Sequence, residues 1–141
     1  MLYPIGIQSF EKIRQGGYVY VDKTDLIYKI AKTGQYYFLS RPRRFGKSLL
    51  VSTMEAYFQG KKELFDGLAI ASLEKDWTEY PVLHFDLGGA SYADMDSLND
   101  KLGRQLDSLE SRFGVVKKYK TLAVRFDNLI ECAFNKTGRQ V

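Results

Sequence analysis

Eight consecutive residues, Arg41-Pro42-Arg43-Arg44-Phe45-Gly46-Lys47-Ser48, put four cations, one glycine and one hydroxyl into a short stretch of a 141-residue chain. Their second half fits the phosphate-binding loop pattern G-x-x-x-x-G-K-[ST], in which backbone amides surround phosphates at a helix N-terminus. A lysine in that place reaches the terminal phosphates, and the hydroxyl that follows it holds Mg2+. Arg41 stands where the pattern has its first glycine, so the match to the motif is incomplete. A Gly-Lys-Ser triplet alone is also what an ordinary helix start with two solvated cations looks like. Context decides between them, because the motif needs a strand before it and a helix after it.

The flanking segments supply that context. Tyr36 to Ser40 is uncharged and β-prone, with apolar residues on both faces, and is expected to be a buried strand. Leu49, Leu50, Val51, Met54, Tyr57 and Phe58 follow the loop at helical spacing, and Gly60 marks the stop. Upstream, Tyr18 to Val21 reads as a strand or extended arm. Asp22 and Thr24 offer caps for a helix through Leu26, Ile27 and Ile30 that ends at Gly34. Downstream, a short helix is expected at Lys62 to Phe65. A second strand is expected over Val82 to Leu87, stopped by Gly88-Gly89. Two longer helices follow, from Asp94 to about Phe113 and from Tyr119 to Phe134, with Gly138 as a cap and Gln140-Val141 entering a new strand.

This order predicts an α/β fold, a three-layer sandwich of the phosphate-loop NTPase type with a mainly parallel sheet. The sequence is read as the N-terminal part of one such domain, with residues 1–34 an arm and helix and 35–141 a partial core. Asp86 closes the second predicted strand, where ligands of open α/β sheets gather, so it is a candidate for holding Mg2+ or for balancing the arginines. His84 reads as a strand residue and Cys132 as a small core residue.

Composition narrows the classes. The apolar fraction of 45% and charged fraction of 27% are ordinary for a folded domain and exclude low-complexity disorder. The longest apolar runs are far shorter than the roughly 20 residues that span a bilayer, and Met1 to Ile5 lacks the start of a signal peptide. A cytoplasmic location is expected. One cysteine and one histidine exclude an internal disulfide and a Cys/His zinc site. Lys and Arg total 21 against 17 Asp and Glu, a net +4, which suits an anionic ligand, nucleotide or nucleic acid.

Taken together, Gly6, Phe10, Tyr18-Val19-Tyr20-Val21-Asp22-Lys23-Thr24, the Arg41–Ser48 loop, Tyr57-Phe58, Gly60-Lys61, Leu64-Phe65, Gly67-Leu68 and Tyr80-Pro81-Val82 resemble the predicted AAA-ATPase-like family of bacterial proteins. The resemblance covers nearly the whole chain, and arginine at position 41 is that family's own form of the loop. It implies ATP and Mg2+ as ligands. Arg43, Arg44, Phe45, Gly46, Lys47, Ser48 and Leu49 then form the nucleotide-binding loop, with Ser48 a metal ligand and Arg41, Tyr20 and Asp22 as further contacts. Arg41 is instead free to fix the loop through an acidic residue, and Tyr20 and Asp22 to form a structural arm. The resemblance also implies that Thr137-Gly138-Arg139-Gln140-Val141 leads into the strand with the magnesium aspartate and catalytic glutamate. Those residues would lie beyond Val141. A C-terminal nuclease-like region that contacts nucleic acid, and assembly into homo-oligomers, belong to the same set of implications. Hydrolysis is accordingly expected of an intact protein. The alternatives are a nucleic-acid-binding module using Arg41, Arg43, Arg44 and Lys47, and a degenerate phosphate loop used for assembly.

Overall fold

Six α-helices carry the structure, a computed structural model that describes residues 2–88, 94–117 and 119–141. They are α1 (Phe10–Gln15), α2 (Thr24–Thr33), α3 (Lys47–Phe58), α4 (Ala69–Leu73), α5 (Met95–Phe113) and α6 (Leu122–Thr137), with a 3-10 turn at Lys62–Phe65. The chain divides into two compact units, Met1–Glu79 and Tyr80–Val141.

The expected α/β sandwich with a mainly parallel sheet is not what forms. Among the described residues there is no strand, and the one β-type pairing is an isolated parallel bridge between Leu2 and Tyr18. The reason is that a strand is shared: its amides and carbonyls need a second backbone, and the strand-like runs of each unit do not pair with one another beyond the Leu2–Tyr18 bridge. Tyr36 to Ser40, expected to be buried, is exposed, with Tyr36 and Phe38 each at 93%. The Tyr37 hydroxyl ties the run to α2, donating to the Ile30 carbonyl at 2.7 Å. In the second unit, Val82 to Leu87 is likewise no strand. The Gln105 side chain takes the two backbone groups of Asp86 that a neighbouring strand would pair. Its Oε1 accepts from Asp86 N at 2.7 Å, and its Nε2 donates to Asp86 O at 3.1 Å. Gln140 and Val141 enter no strand either, and Gly89 of the expected stop lies outside the described residues.

The first unit packs around Phe10, Ile27, Ala56, Tyr57, Leu64, Phe65, Ile70 and Trp77, with Leu49, Leu50 and Met54 of α3 against them. Two polar pins fix its helices. Asp22 Oδ1 accepts from the N and Oγ1 of Thr24 at 2.9 and 2.7 Å, and its Oδ2 accepts from Ala69 N at 2.7 Å. One carboxylate thus caps the starts of α2 and α4. The second pin is Glu74, whose side chain is 6% exposed. It accepts from the Tyr57 hydroxyl at 2.5 Å, Lys32 Nζ at 2.9 Å and the amides of Lys75 and Asp76 at 3.0 and 3.2 Å.

Burial pushes the Glu74 carboxyl up, but the bonds from Tyr57, Lys32 and Asp76 outweigh it and hold the pKa at about 2, below the ordinary 4.5. A depressed carboxyl stabilises the fold above its ordinary pKa, and that stabilisation is lost as pH falls from about 4.5 towards 2. Glu74→Gln should therefore lower stability at neutral pH by roughly 3–4 kcal/mol, at about 1.4 kcal/mol per pKa unit. It should also flatten the acid limb of the stability profile. Urea melts at neutral pH and near the folded pKa check both effects.

The second unit is a helical hairpin. Asp94 caps α5, its Oδ1 accepting from Ser97 N at 2.8 Å, and Gly114 ends it. Gly138, as expected, caps α6 in the left-handed conformation at φ +65°. Leu106, Leu109 and Phe113 of α5 bury against Leu129 and Ala133 of α6, and Leu83 and Phe85 join that core. Among the described residues, no helix is long and apolar enough to cross a membrane.

Candidate functional site

Residues 41–48 form a tight loop that enters α3, whose first residue is Lys47. Two left-handed residues make the turn, Arg44 at φ +67° and Gly46 at φ +73°. At Gly46 this conformation costs a glycine little, whereas at Arg44 it is a strained state of roughly 1 kcal/mol or more for an L side chain. Phe45 between them does not share that hand, and alternation of backbone hand is a feature of loops that bind anions through their amides. Gly46 is the N-cap of α3 and supplies no side-chain cap, so the first-turn amides have no side-chain acceptor. A Cβ placed on Gly46 would meet nothing within 4 Å.

The loop is positive. Residues 36–54 contain Arg41, Arg43, Arg44 and Lys47 and no acidic residue. All three arginines are exposed, and among the described residues none of their guanidinium groups has a hydrogen-bond or ion-pair partner. Arg41 thus meets no acidic residue. Its carbonyl is used instead: Lys47 Nζ reaches back to donate to Arg41 O at 2.6 Å and Pro42 O at 2.8 Å. Those are bonds to neutral acceptors at the loop mouth, and a phosphate oxygen is a stronger acceptor for the same ammonium. Ser48 is exposed on the first turn, Phe45 is 62% exposed, and Leu49 turns its side chain to the core while its backbone stays in the first turn.

The remaining candidates are placed differently. Tyr20 is half-buried, its ring edge on Phe10 at 5.1 Å between centroids, and burial pushes its hydroxyl pKa up. Both oxygens of Asp22 are taken by Thr24 and Ala69. Burial raises the Asp22 carboxyl, but those hydrogen bonds hold it below its ordinary value. Asp86 belongs to the second unit, where its Oδ1 accepts from Gly88 N at 2.7 Å and closes a local turn. His84 lies in the same segment, and Cys132 is half-buried on α6. Among the described residues there is no group of three or more His, Cys, Asp or Glu able to hold a metal ion.

Three features escape sequence reading. The backbone hand at Arg44 has no residue-type signal, since arginine rarely adopts it. The Lys47 bonds depend on loop closure. The ion pair of Arg125 with Glu110 joins residues 15 positions apart on two helices, at 2.9 and 2.8 Å.

Comparison with known proteins gives this loop its relatives. An uncharacterised protein of the vnfD 5′ region of Azotobacter chroococcum mcd 1 is 41% identical over 140 residues. That alignment covers 98% of this chain and 27% of the relative, so the chain spans about a quarter of that protein's length. No solved structure matches. The family model described as "Predicted AAA-ATPase" matches residues 4–141, and the chain, with its Arg41–Ser48 loop at the head of α3, belongs to that family.

Proposed function

We propose that the loop Arg43-Arg44-Phe45-Gly46-Lys47-Ser48-Leu49 binds the phosphates of ATP. The observation that carries this reading is the junction of loop and helix. The uncapped first turn of α3 directly follows the left-handed pair Arg44 and Gly46, with Lys47 at its head and no acidic side chain from 36 to 54. The backbone amides and the helix dipole favour the phosphate oxygens. Lys47 exchanges its two carbonyl acceptors for the terminal phosphates, and Arg43 and Arg44 add charge-assisted bonds.

The residues present also fit a bound Mg2+, which Ser48 Oγ would hold at the first turn. When bound with the nucleotide, the ion would supply positive charge against that developing on the phosphates. This assignment needs no part of Asp86. Hydrolysis is the activity that the family description implies, and we assign it to the full-length protein, in keeping with a chain that spans 27% of its relative.

Calorimetric titration with Mg-ATP tests the reading. Lys47→Ala is expected to weaken binding about 10- to 100-fold, the cost of a lost hydrogen bond to a charged group. Equal affinity in wild type and variant would overturn it.

A second reading draws on the three guanidiniums that have no partner among the described residues: Arg41, Arg43 and Arg44, together with Lys47, bind the backbone of nucleic acid. In that case affinity falls steeply with salt as counterions are released, with a slope of about one per phosphate contact.

A further inference from the structure

We infer that residues 75–79, with Trp77 at their centre, form a strained latch at the end of the first unit, one that opens while the helices around it stay folded. The latch is independent of what the Arg41–Ser48 loop binds.

Two unfavourable features coincide at one residue. Trp77 has φ +42°, in the left-handed region that a bulky L side chain rarely adopts because its Cβ crowds the neighbouring carbonyl. The residue is 9% exposed, and its indole Nε1–H is buried with no hydrogen-bond partner among the described residues. A buried tryptophan ordinarily sets that N–H on an acceptor, since leaving it unmade forfeits the bond it makes in water.

What holds Trp77 in this state lies on three sides. Its ring packs on Phe65 and Tyr57, with centroids 5.1 and 5.9 Å apart. Before it, Glu74 Oε1 accepts from the amides of Lys75 and Asp76 at 3.0 and 3.2 Å. After it, the chain passes so close to Gly60 that a Cβ there would lie 3.0 Å from the Trp77 carbonyl oxygen and 2.6 Å from Glu79 Cγ. Among the described residues, 75–79 make no backbone–backbone hydrogen bond. Release therefore breaks few bonds and removes both penalties at once: the backbone returns to negative φ, and the indole N–H reaches water. A segment with stored strain and few backbone bonds opens locally, well below the free energy of complete unfolding. The opening frees 75–79 just ahead of Tyr80, where the second unit begins, so the chain leaving the first unit lengthens while that unit stays intact.

The test is hydrogen exchange of the Trp77 indole N–H, followed by NMR on the 141-residue chain at several low urea concentrations, beside the Tyr57 backbone amide inside α3. Trp77 is the only tryptophan, so its indole signal is unambiguous. The expected result is an indole protection at least about tenfold lower than that of the Tyr57 amide and insensitive to urea, the mark of an opening that exposes little surface. Protection that matches the Tyr57 amide and falls with urea in step with it means that Trp77 leaves only when the whole unit unfolds, and overturns the latch. Trp77→Phe gives a second reading, because it keeps a ring in place without the N–H. Its melting midpoint by far-UV circular dichroism should fall by no more than about 4 °C, the lost ring volume being offset by removal of the unmade bond. A larger fall is what a satisfied N–H would give, and it overturns the latch as well.

Discussion

Arg125→Ala is expected to lower the stability of the second unit by about 3–5 kcal/mol, the cost of leaving a buried charge without its partner. The Arg125 guanidinium donates through Nε to Glu110 Oε1 at 2.9 Å and through Nη2 to Glu110 Oε2 at 2.8 Å, and it also reaches Asp107 Oδ1 at 2.8 Å. The Glu110 side chain is only 2% exposed, so it cannot turn to water when the arginine is removed. The pair raises the Arg125 pKa through its bond to Glu110, which keeps the cation charged at any working pH. The control is the double variant Glu110→Leu/Arg125→Met, which removes both charges and should lose far less than the single one. Far-UV circular dichroism is the suitable probe, because α5 and α6 dominate the unit while the only tryptophan, Trp77, lies in the other. A loss below about 1 kcal/mol for Arg125→Ala, the range of exposed pairs, would contradict this description of the pair.

Phe65→Ala should cost the first unit a similar amount, about 3–5 kcal/mol, through lost transfer energy and the cavity left behind. Its ring is fully buried at the end of the 3-10 turn. The ring centroid lies 4.8 Å from Phe10, 5.1 Å from Trp77 and 6.4 Å from Tyr57. Those partners come from α1, α3 and the segment after α4, so one truncation unpacks elements far apart in sequence. Trp77 fluorescence reads the change directly, since it is the neighbour that loses its contact. Phe65→Leu, which keeps most of the volume, should lose clearly less.

The helices were legible where local chemistry alone specifies them. Leu98, Leu102, Leu106, Leu109 and Phe113 mark one face of α5, which starts after Asp94 as read, and Gly138 caps α6 as its residue type implies. Gly60 follows α3 as read, at φ +68°, and a Cβ there would also crowd Glu79 and the Trp77 carbonyl. Two short helices were not legible. The six residues of α1 are too few to show a period, and α4 owes its start to Asp22, 47 positions earlier. The sheet failed for a related reason. Tyr36 to Ser40 and Val82 to Leu87 have compositions that suit a sheet, but composition does not say whether another backbone lies alongside. In the second unit Gln105 fills that role, which no pattern of apolar residues announces.

The site divides in the same way. Gly46-Lys47-Ser48 at the head of a helix was readable, because the loop and the helix start are contiguous in sequence. The left-handed Arg44 and the Lys47 bonds to Arg41 and Pro42 depend on how the loop closes. The engagement of Asp22 depends on α4, and no feature of the sequence around position 22 announces it.

The most direct measurement is the thermal midpoint of this chain with and without saturating Mg-ATP, beside Lys47→Ala. Ligand at about 100 times its dissociation constant adds about 2.7 kcal/mol to a folded state that alone binds it, a shift of several degrees. With a working phosphate loop the midpoint rises in the wild type and rises clearly less in Lys47→Ala, whose 10- to 100-fold weaker binding leaves only about 0.4–1.4 kcal/mol of that stabilisation. An equal rise in both proteins, or none in the wild type at saturating nucleotide, would contradict phosphate binding by Lys47 and the first turn of α3.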